Sequence, residues 1–524
     1  MLDAIVVGSG PGGVICARGL RGERVLVLDV GNRPGPLPGL DGNLYELRRS
    51  REDLFEQLIG AGFEGLRNLR GRAVSLKLKS PGMAYVIRDG ERLAPVLSEG
   101  FEATISLAEG GLANAWGAGV YRFTDEDLAG FPIRAADLEP HYDELTRLIG
   151  ISGESDDLDP WFGGAAGLLP PLRLSGIAAD VSARYRRHLP EFRRRGIVVG
   201  RPRLAVLTRE HRGRPAYRHD NLEFFKPHDP SIYNPAFTLR EMVSAGEVAY
   251  RPGVLVTRFA EHADRVEVSA RDLAAGGEET FVARRLFLAA GALNSARIVL
   301  ASAGDHASRL PLLDNPVTLV PLLSPGRIGA ALDPNDSSLG QLNIIVQPGA
   351  GDGETLQGTL YGTTGPLRSD ALFELPAPVP AAVCLAKYLA PAMAVVMLFH
   401  PDRPDPGNFL QLAPSGALRL RHAPPRPGSG ARRLVAAFRR IGLLGADVLC
   451  RQAPIGSGLH YAGTLPMKAA PGRYETGVDG RLGGSARVFV VDGACVPTLP
   501  AKNLTFTIMA NAARIAALAR GGRP

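Results

Sequence analysis

Cysteine is scarce: Cys16, Cys384, Cys450 and Cys495 are the only four in 524 residues, and no two form a CxxC pair. A disulfide framework and a structural zinc site are thereby excluded, and a reducing compartment is expected. Long apolar runs are missing too. The most apolar stretch, "YLAPAMAVVMLFH" (388–400), is shorter than a membrane span and contains a proline. The net charge is +7, yet no run of five or six basic residues carries it. The clusters "RYRRH" (184–188) and "EFRRRG" (191–196) read as solvated helix faces, which leaves no nucleic-acid footprint. Internal repeats and low-complexity tracts are absent. Residues 3–8 already read as a buried strand, with no room for a signal peptide ahead of them, so a cytoplasmic protein is expected.

Hydrophobic residues make up 45% and charged residues 22%, the balance of a globular protein, and the length implies more than one domain. The chain opens "DAIVVGSGPGGVICARGLRGERVLVLDVG": a β-branched strand, then Gly8, Gly10 and Gly13 as G-x-G-x-x-G, a helix-compatible stretch and a second buried strand ending at Asp29. Glycines at this spacing permit a tight turn and the approach of backbone to a pyrophosphate, whose charge meets a helix N-terminus. A carboxylate about 20 residues on can bind ribose hydroxyls and favours an unphosphorylated ribose. On this motif alone FAD and NAD both remain open.

Four later segments add to the pattern. "LAEGGLANAWGAGVYRF" (107–123) surrounds Gly111, Asn114, Ala115 and Trp116 with small residues, so that backbone can lie against a flat ligand. "RRLFLAAGALNSARIVLAS" (284–302) is a strand, a turn at Ala290 and Gly291, and a helix. "GSGLHYAGTLPM" (456–467) sets His460 among glycines and small residues. "RVFVVDGACVPTLPAKNLTFTIMANAARIAALA" (487–519) is a strand, a loop with Asp492 and Gly493, and a long helix starting near Asn503 and Thr505.

Together these segments resemble the glucose–methanol–choline (GMC) oxidoreductases, FAD-dependent enzymes that mostly oxidise alcohols. The flavin loop is most similar to that of the pyranose-oxidase branch, where a histidine bonded covalently to FAD precedes the tryptophan. Ala115 stands at that position here, so the resemblance implies non-covalent FAD. It further implies that Val256, in the strand-like stretch 248–272, meets the adenine through its backbone, and that Asp492 lies beside the flavin and pyrophosphate. His460 corresponds to the family's base and Asn503 to its second active-site residue, a position taken by histidine or asparagine.

Alcohol oxidation by a flavin moves hydride to N5 and the hydroxyl proton to a base, and a histidine titrating near neutrality suits the second task. Asparagine cannot take a proton but can hold the substrate oxygen. Asn503 also reads as an N-cap, which is compatible with lining a pocket. His141 reads as structural. "YRHDNLEFFKPHDPSIYNPAF" (217–237) has no regular metal-ligand spacing and reads as a polar wall of the kind a sugar or amino sugar requires.

The expected fold is α/β. A discontinuous Rossmann-like FAD-binding domain (1–35, 96–160, 200–309 and 456–524) accompanies a substrate domain (161–199 and 310–455). The latter is built on an antiparallel sheet that includes "QLNIIVQ", "AMAVVMLFH", "NFLQLAP" and "ALRLRH". Residues 36–95 are expected to form a lid or oligomer contact. The expected function is oxidation of a hydroxyl carbon to a carbonyl on a carbohydrate, glycoside or other hydroxylated metabolite, with oxygen or another acceptor taking the electrons and no metal. A lyase or isomerase on the same flavoprotein scaffold is the alternative. A partner protein keeping FAD as structure is disfavoured by the intact His460 and Asn503. An NAD-dependent dehydrogenase accounts for the first 30 residues and not for the C-terminal segment.

Overall fold

The computed structural model describes residues 1–36, 39–63, 65, 75–349, 353–363, 377–423 and 428–521. Parts of the expected 36–95 insertion and of the 310–455 region therefore lie outside the described residues. The architecture is mixed α/β, as expected, with three sheets.

The first sheet begins with Leu2–Val7 (β1) and Val25–Leu28 (β2), whose uninterrupted apolar residues suit strands covered on both faces. Parallel pairing extends outward from β1 through β2 to Ala249–Arg251 (β5), and on the other side to Glu278–Leu288 (β8). The C-terminal strand Val488–Val490 (β17) joins β8, also in parallel. An antiparallel meander of Val254–Glu261 (β6), Val266–Asp272 (β7) and β8 completes it. The sheet is thus assembled from both ends of the chain. The helix Pro11–Gly19 covers one face and packs on the terminal helix Thr505–Ala519. A methyl on Gly19 would stand 2.6 Å from Ala516 Cβ, which explains why glycine sits at that crossing.

The second sheet is antiparallel throughout. Its order is Arg451–Gln452 (β16), Val317–Leu323 (β10), Met393–Phe399 (β13), Leu356–Gly362 (β12), Leu342–Val346 (β11) and Ile197–Gly200 (β4). Strand residues alternate between faces, and Val320, Val396 and Leu360 point to the side covered by the helices Gly176–Arg187, Leu189–Arg194 and Gly430–Arg440. Their core includes the buried Phe438, whose ring meets Phe192 edge-on at 5.9 Å.

Two of the runs expected in this sheet are elsewhere. "NFLQLAP" and "ALRLRH" form a hairpin, Phe409–Leu412 (β14) with Leu418–Arg421 (β15), flanked by Leu310–Pro311 (β9) and, in parallel, by Val96–Glu99 (β3). The alternating leucines Leu410, Leu412, Leu418 and Leu420 join the main core together with Ile298 of the helix Ala292–Ala303. A strand pattern states which residues need burial and leaves the partner undetermined. Among the described residues no helix is long and apolar enough to cross a membrane.

Because Phe438 fills the second core, Phe438→Ala should destabilise that unit by about 3–5 kcal/mol. A lowered urea midpoint by circular dichroism is the expected result, and an unchanged midpoint would contradict this packing.

Candidate functional site

A cavity of about 1420 Å³ runs between the first and second sheets. That is larger than the ~300–1,000 Å³ of an ordinary ligand pocket, and leaves room for a large cofactor together with a substrate. Gly8, Gly10, Asp29, Gly111, Ala115, Trp116, Val256, Ala290, Gly291, His460, Asp492, Gly493, Asn503 and Thr505 all line it. Gly13 and Asn114 do not.

The glycines divide by task. Gly8 has φ +99°, and a Cβ there would lie 2.4 Å from the Ala289 carbonyl oxygen; one on Gly13 would lie 2.0 Å from that of Gly8. Both are needed for close packing of strand, turn and helix. Gly10 is different: a Cβ on it would meet no protein atom within 4 Å, because it faces the cavity ahead of the helix Pro11–Gly19. Bare backbone, a helix N-terminus and open space are what a pyrophosphate requires. The residues present fit FAD.

Asp29 ends β2 and is hydrogen-bonded by Ser9 Oγ, a contact the motif alone did not announce. Burial raises the Asp29 carboxyl to about 7. Ser9 Oγ also accepts from Gly110 N at 3.1 Å, joining the nucleotide turn to the flavin loop. Asn114 pins that loop from behind. Its Oδ1 accepts from Tyr85 Oη (2.8 Å) and Asn234 Nδ2 (2.7 Å) and lies 3.0 Å from His228 Nε2, while its Nδ2 donates to the Glu109 and Gly111 carbonyls. A buried side-chain amide so fully bonded anchors the loop and leaves only its backbone to meet a cofactor. Ala115 is buried beside Tyr85 and Leu459. Trp116 Nε1 is buried without a partner.

The 217–237 segment is not the polar wall it was expected to be. Tyr217 Oη donates to Glu223, Lys226 pairs with Asp220, and His228 is bonded to Asn114, so these polar groups satisfy one another. From this stretch only Phe224 lines the cavity. No group of His, Cys, Asp or Glu suited to a metal occurs among the described residues. His141 sits on the helix Ala135–Ile149, half-buried and outside the cavity.

Asp492 follows β17. It accepts from Gly291 N (2.8 Å), Ser295 Oγ (2.6 Å) and Ala494 N (2.9 Å), fastening the turn before the helix Ala292–Ala303 to the C-terminal strand. Burial raises its carboxyl to about 6. Val256 lies on β6, beside a bulge in its pairing with β7.

His460 follows Leu459, a non-glycine residue held at φ +62°. Such strain persists only where the surroundings over-determine it. Here Asp314 accepts from Gly456 N at 2.6 Å, and Gly456 is packed so tightly that a Cβ would stand 2.5 Å from the Glu102 carbonyl. Burial raises the Asp314 carboxyl to about 7.

The imidazole of His460 stacks on Phe399, centroids 5.1 Å apart, and its Nδ1 lies 2.9 Å from Asn315 Oδ1. Asn315 Nδ2 donates to the carbonyls of His400 (2.8 Å) and Pro500 (3.0 Å), so its amide has one possible orientation and Oδ1 must face the ring. An oxygen there requires a proton on Nδ1. Nε2 is therefore the imidazole's free lone pair. Burial lowers this histidine to about 4, instead of the near-neutral titration expected, so the ring is uncharged throughout the physiological range.

Asn503 is not the N-cap it could have been. The helix Thr505–Ala519 is preceded by Leu504 with no side-chain cap, and Asn503 Oδ1 is buried without a partner. Lys502, bonded to Asp127 and to the Trp161 carbonyl, fixes the turn that carries it. A polar atom left unpaired beside a cavity is a group awaiting a ligand. Leu504, Thr505 and Ile508 present the helix's first turn to the same cavity.

Comparison with known proteins gives two findings. Residues 445–512 match the C-terminal family model described as GMC oxidoreductase. Pyridoxine 4-oxidase from Mesorbium loti has a similar solved structure, with a TM-score of 0.58 over 100% of both chains at 16% sequence identity. No curated protein matches the sequence. A C-terminal segment matching this family, set in a fold shared with that oxidase over the whole chain, supports the resemblance to FAD-dependent GMC oxidoreductases read from the sequence.

Proposed function

We propose that the chain oxidises a hydroxyl carbon to a carbonyl, with His460 as the base and Asn503 as the group that holds the substrate oxygen. The observation that carries this reading is the Asn315–His460 hydrogen bond, which leaves Nε2 as the only proton acceptor of a buried, neutral ring lining the cavity. FAD, when bound, supplies the two-electron acceptor for the carbinol carbon. His460 Nε2 accepts the hydroxyl proton as the oxygen acquires alkoxide character. Burial disfavours the imidazolium, so the ring takes the proton only at that stage and does not retain it. Asn503, whose amide is not committed to a cap, offers a hydrogen bond to the same oxygen. The pairing of a proton acceptor with a neutral donor favours alcohol oxidation over the lyase or isomerase reading. The division into a discontinuous FAD-binding unit and a unit built on the second sheet belongs to this proposal, as does non-covalent FAD, since Ala115 carries no nucleophile.

Gly10→Val should leave the fold intact and abolish FAD binding, because its side chain enters only the space of the pyrophosphate. The ratio of flavin to protein absorbance checks this, and a fully loaded variant would contradict the assignment. Acid precipitation should release all the flavin into the supernatant; colour retained in the pellet would show a covalent bond that Ala115 cannot provide.

His460→Ala should keep its FAD yet reduce it with alcohol at least about 10²-fold more slowly in anaerobic stopped flow. Near-normal reduction would remove His460 as the base. In the unmodified protein the reactive form is the free imidazole, so reduction should fall as pH drops through about 4 and stay level from mildly acidic to neutral pH. A profile centred near neutrality would mean another base.

A further inference from the structure

The substrate half of the cavity is built from one face of the second sheet. Register puts Leu319, Met397 and Thr359 in one row across β10, β13 and β12, and Pro321, Val395 and Tyr361 in the next. Met393 and Phe399 extend the β13 column at either end, and all eight residues line the cavity. Phe399 is the residue stacked on His460, so the face continues directly from the base. The intervening Ala394, Val396 and Leu398 are buried under the helices on the opposite side. This face is therefore cavity wall by geometry. Its β10 and β13 residues are all apolar, while β12 contributes the polar Thr359 and Tyr361.

Among the described residues, these three strands present no charged side chain to the cavity. On these strands Thr359 and Tyr361 carry the hydroxyls, and Thr359 Oγ1 already donates to Asn343 Oδ1 (3.2 Å) and accepts from Gln357 Nε2 (3.2 Å); Tyr121, Ser338 and Thr363 add hydroxyls elsewhere on the lining. Arg451, on the edge strand β16, is exposed at the rim. Phe224 and Leu339 add further apolar lining, with the Lys77 ammonium 5.4 Å from the Phe224 ring centroid. A sugar bears a hydroxyl on nearly every carbon, and each one desolvated here without a partner weakens binding. An alkyl chain or an arene meets no such penalty, and two methionines on one strand adapt readily to either, through flexible thioethers and sulfur–aromatic contact.

We propose that the substrate is an apolar alcohol, a single hydroxyl on an aliphatic or aromatic body, with the hydroxyl between His460 and Asn503 and the body lying along β10 and β13. This rests on the oxidation reading above, and of the carbohydrate, glycoside or other hydroxylated metabolite expected from the sequence it selects the least polar kind.

The holoenzyme would be titrated anaerobically with primary alcohols from ethanol to decanol, with benzyl and cinnamyl alcohols, and with glucose, glucosamine and methyl glucoside. Displacement of the flavin absorption band reports binding, and bleaching reports oxidation. The apparent Kd should fall about four-fold per methylene until the face is covered, while the sugars neither shift nor bleach the band. Met397→Gln and Val395→Thr, both close in size to the original residues, should retain FAD and raise the Kd of the longest alcohols about ten-fold.

Band shifts that tighten with chain length but never bleach would support the substrate class and sink the oxidation reading. Sugars that bind and bleach while chain length has no effect would overturn the class and leave oxidation standing. Apolar alcohols that neither shift nor bleach the band would overturn the class as well.

Discussion

Three stretches far apart in the chain meet above the first sheet with no space for a methyl group, and the rest of the molecule is arranged around that junction. A Cβ on Gly8 would strike the carbonyl of Ala289, and one on Gly12 would come within 2.2 Å of that of Val491. The backbone of the first turn is thereby pressed against the ends of β8 and β17. Asp492 closes the contact from the other side through Gly291 N and Ser295 Oγ. Because β17 arrives from the far end of the chain, the nucleotide site is complete only once the C-terminal segment has docked. The helix that follows β17 brings its first turn to the same cavity.

Around this junction the polar side chains fall into two kinds. Asn114 and Asn315 are bonded at both amide atoms, and each determines the shape of a loop or the tautomer of a neighbour. Trp116 Nε1 and Asn503 Oδ1, both bordering the cavity, are buried with no partner. Leaving a polar atom unsatisfied costs about 1–3 kcal/mol, so such atoms mark where binding rather than folding set the residue. His460 belongs to both kinds, with Nδ1 bonded to Asn315 and Nε2 left free.

The second sheet shows the same division on the scale of a whole surface. One face of β10, β12 and β13 is sealed by helices and contributes stability in the ordinary way, through Val320, Val396, Leu360 and Phe438. The other lines the cavity with apolar residues from β10 and β13 and with Thr359 and Tyr361 from β12. In the proposed reading the ligand covers the apolar part of this face, and its chemistry describes the ligand.

Much of this could be read in the linear sequence because it depends on contiguous backbone. The turn at Gly8–Gly13, the strands β1, β2 and β8, the helix start at Thr505 and the place of His460 in a glycine-framed loop are all local patterns of spacing and residue type. Ala115 likewise showed at once which side chain is missing from the flavin loop. What the sequence could not reveal were relations between positions that only folding makes neighbours. Asn315 lies 145 residues from His460 in an unremarkable loop, yet it decides which imidazole nitrogen is free. The side chain of Asn114 anchors its loop because His228 and Asn234 fold in behind it. The runs in β13 and β14 look alike as alternating strands, but one joined the substrate wall and the other a separate hairpin. Alternation encodes that one face is to be buried; register, and whatever packs against each face, decide whether that burial is against protein or against ligand.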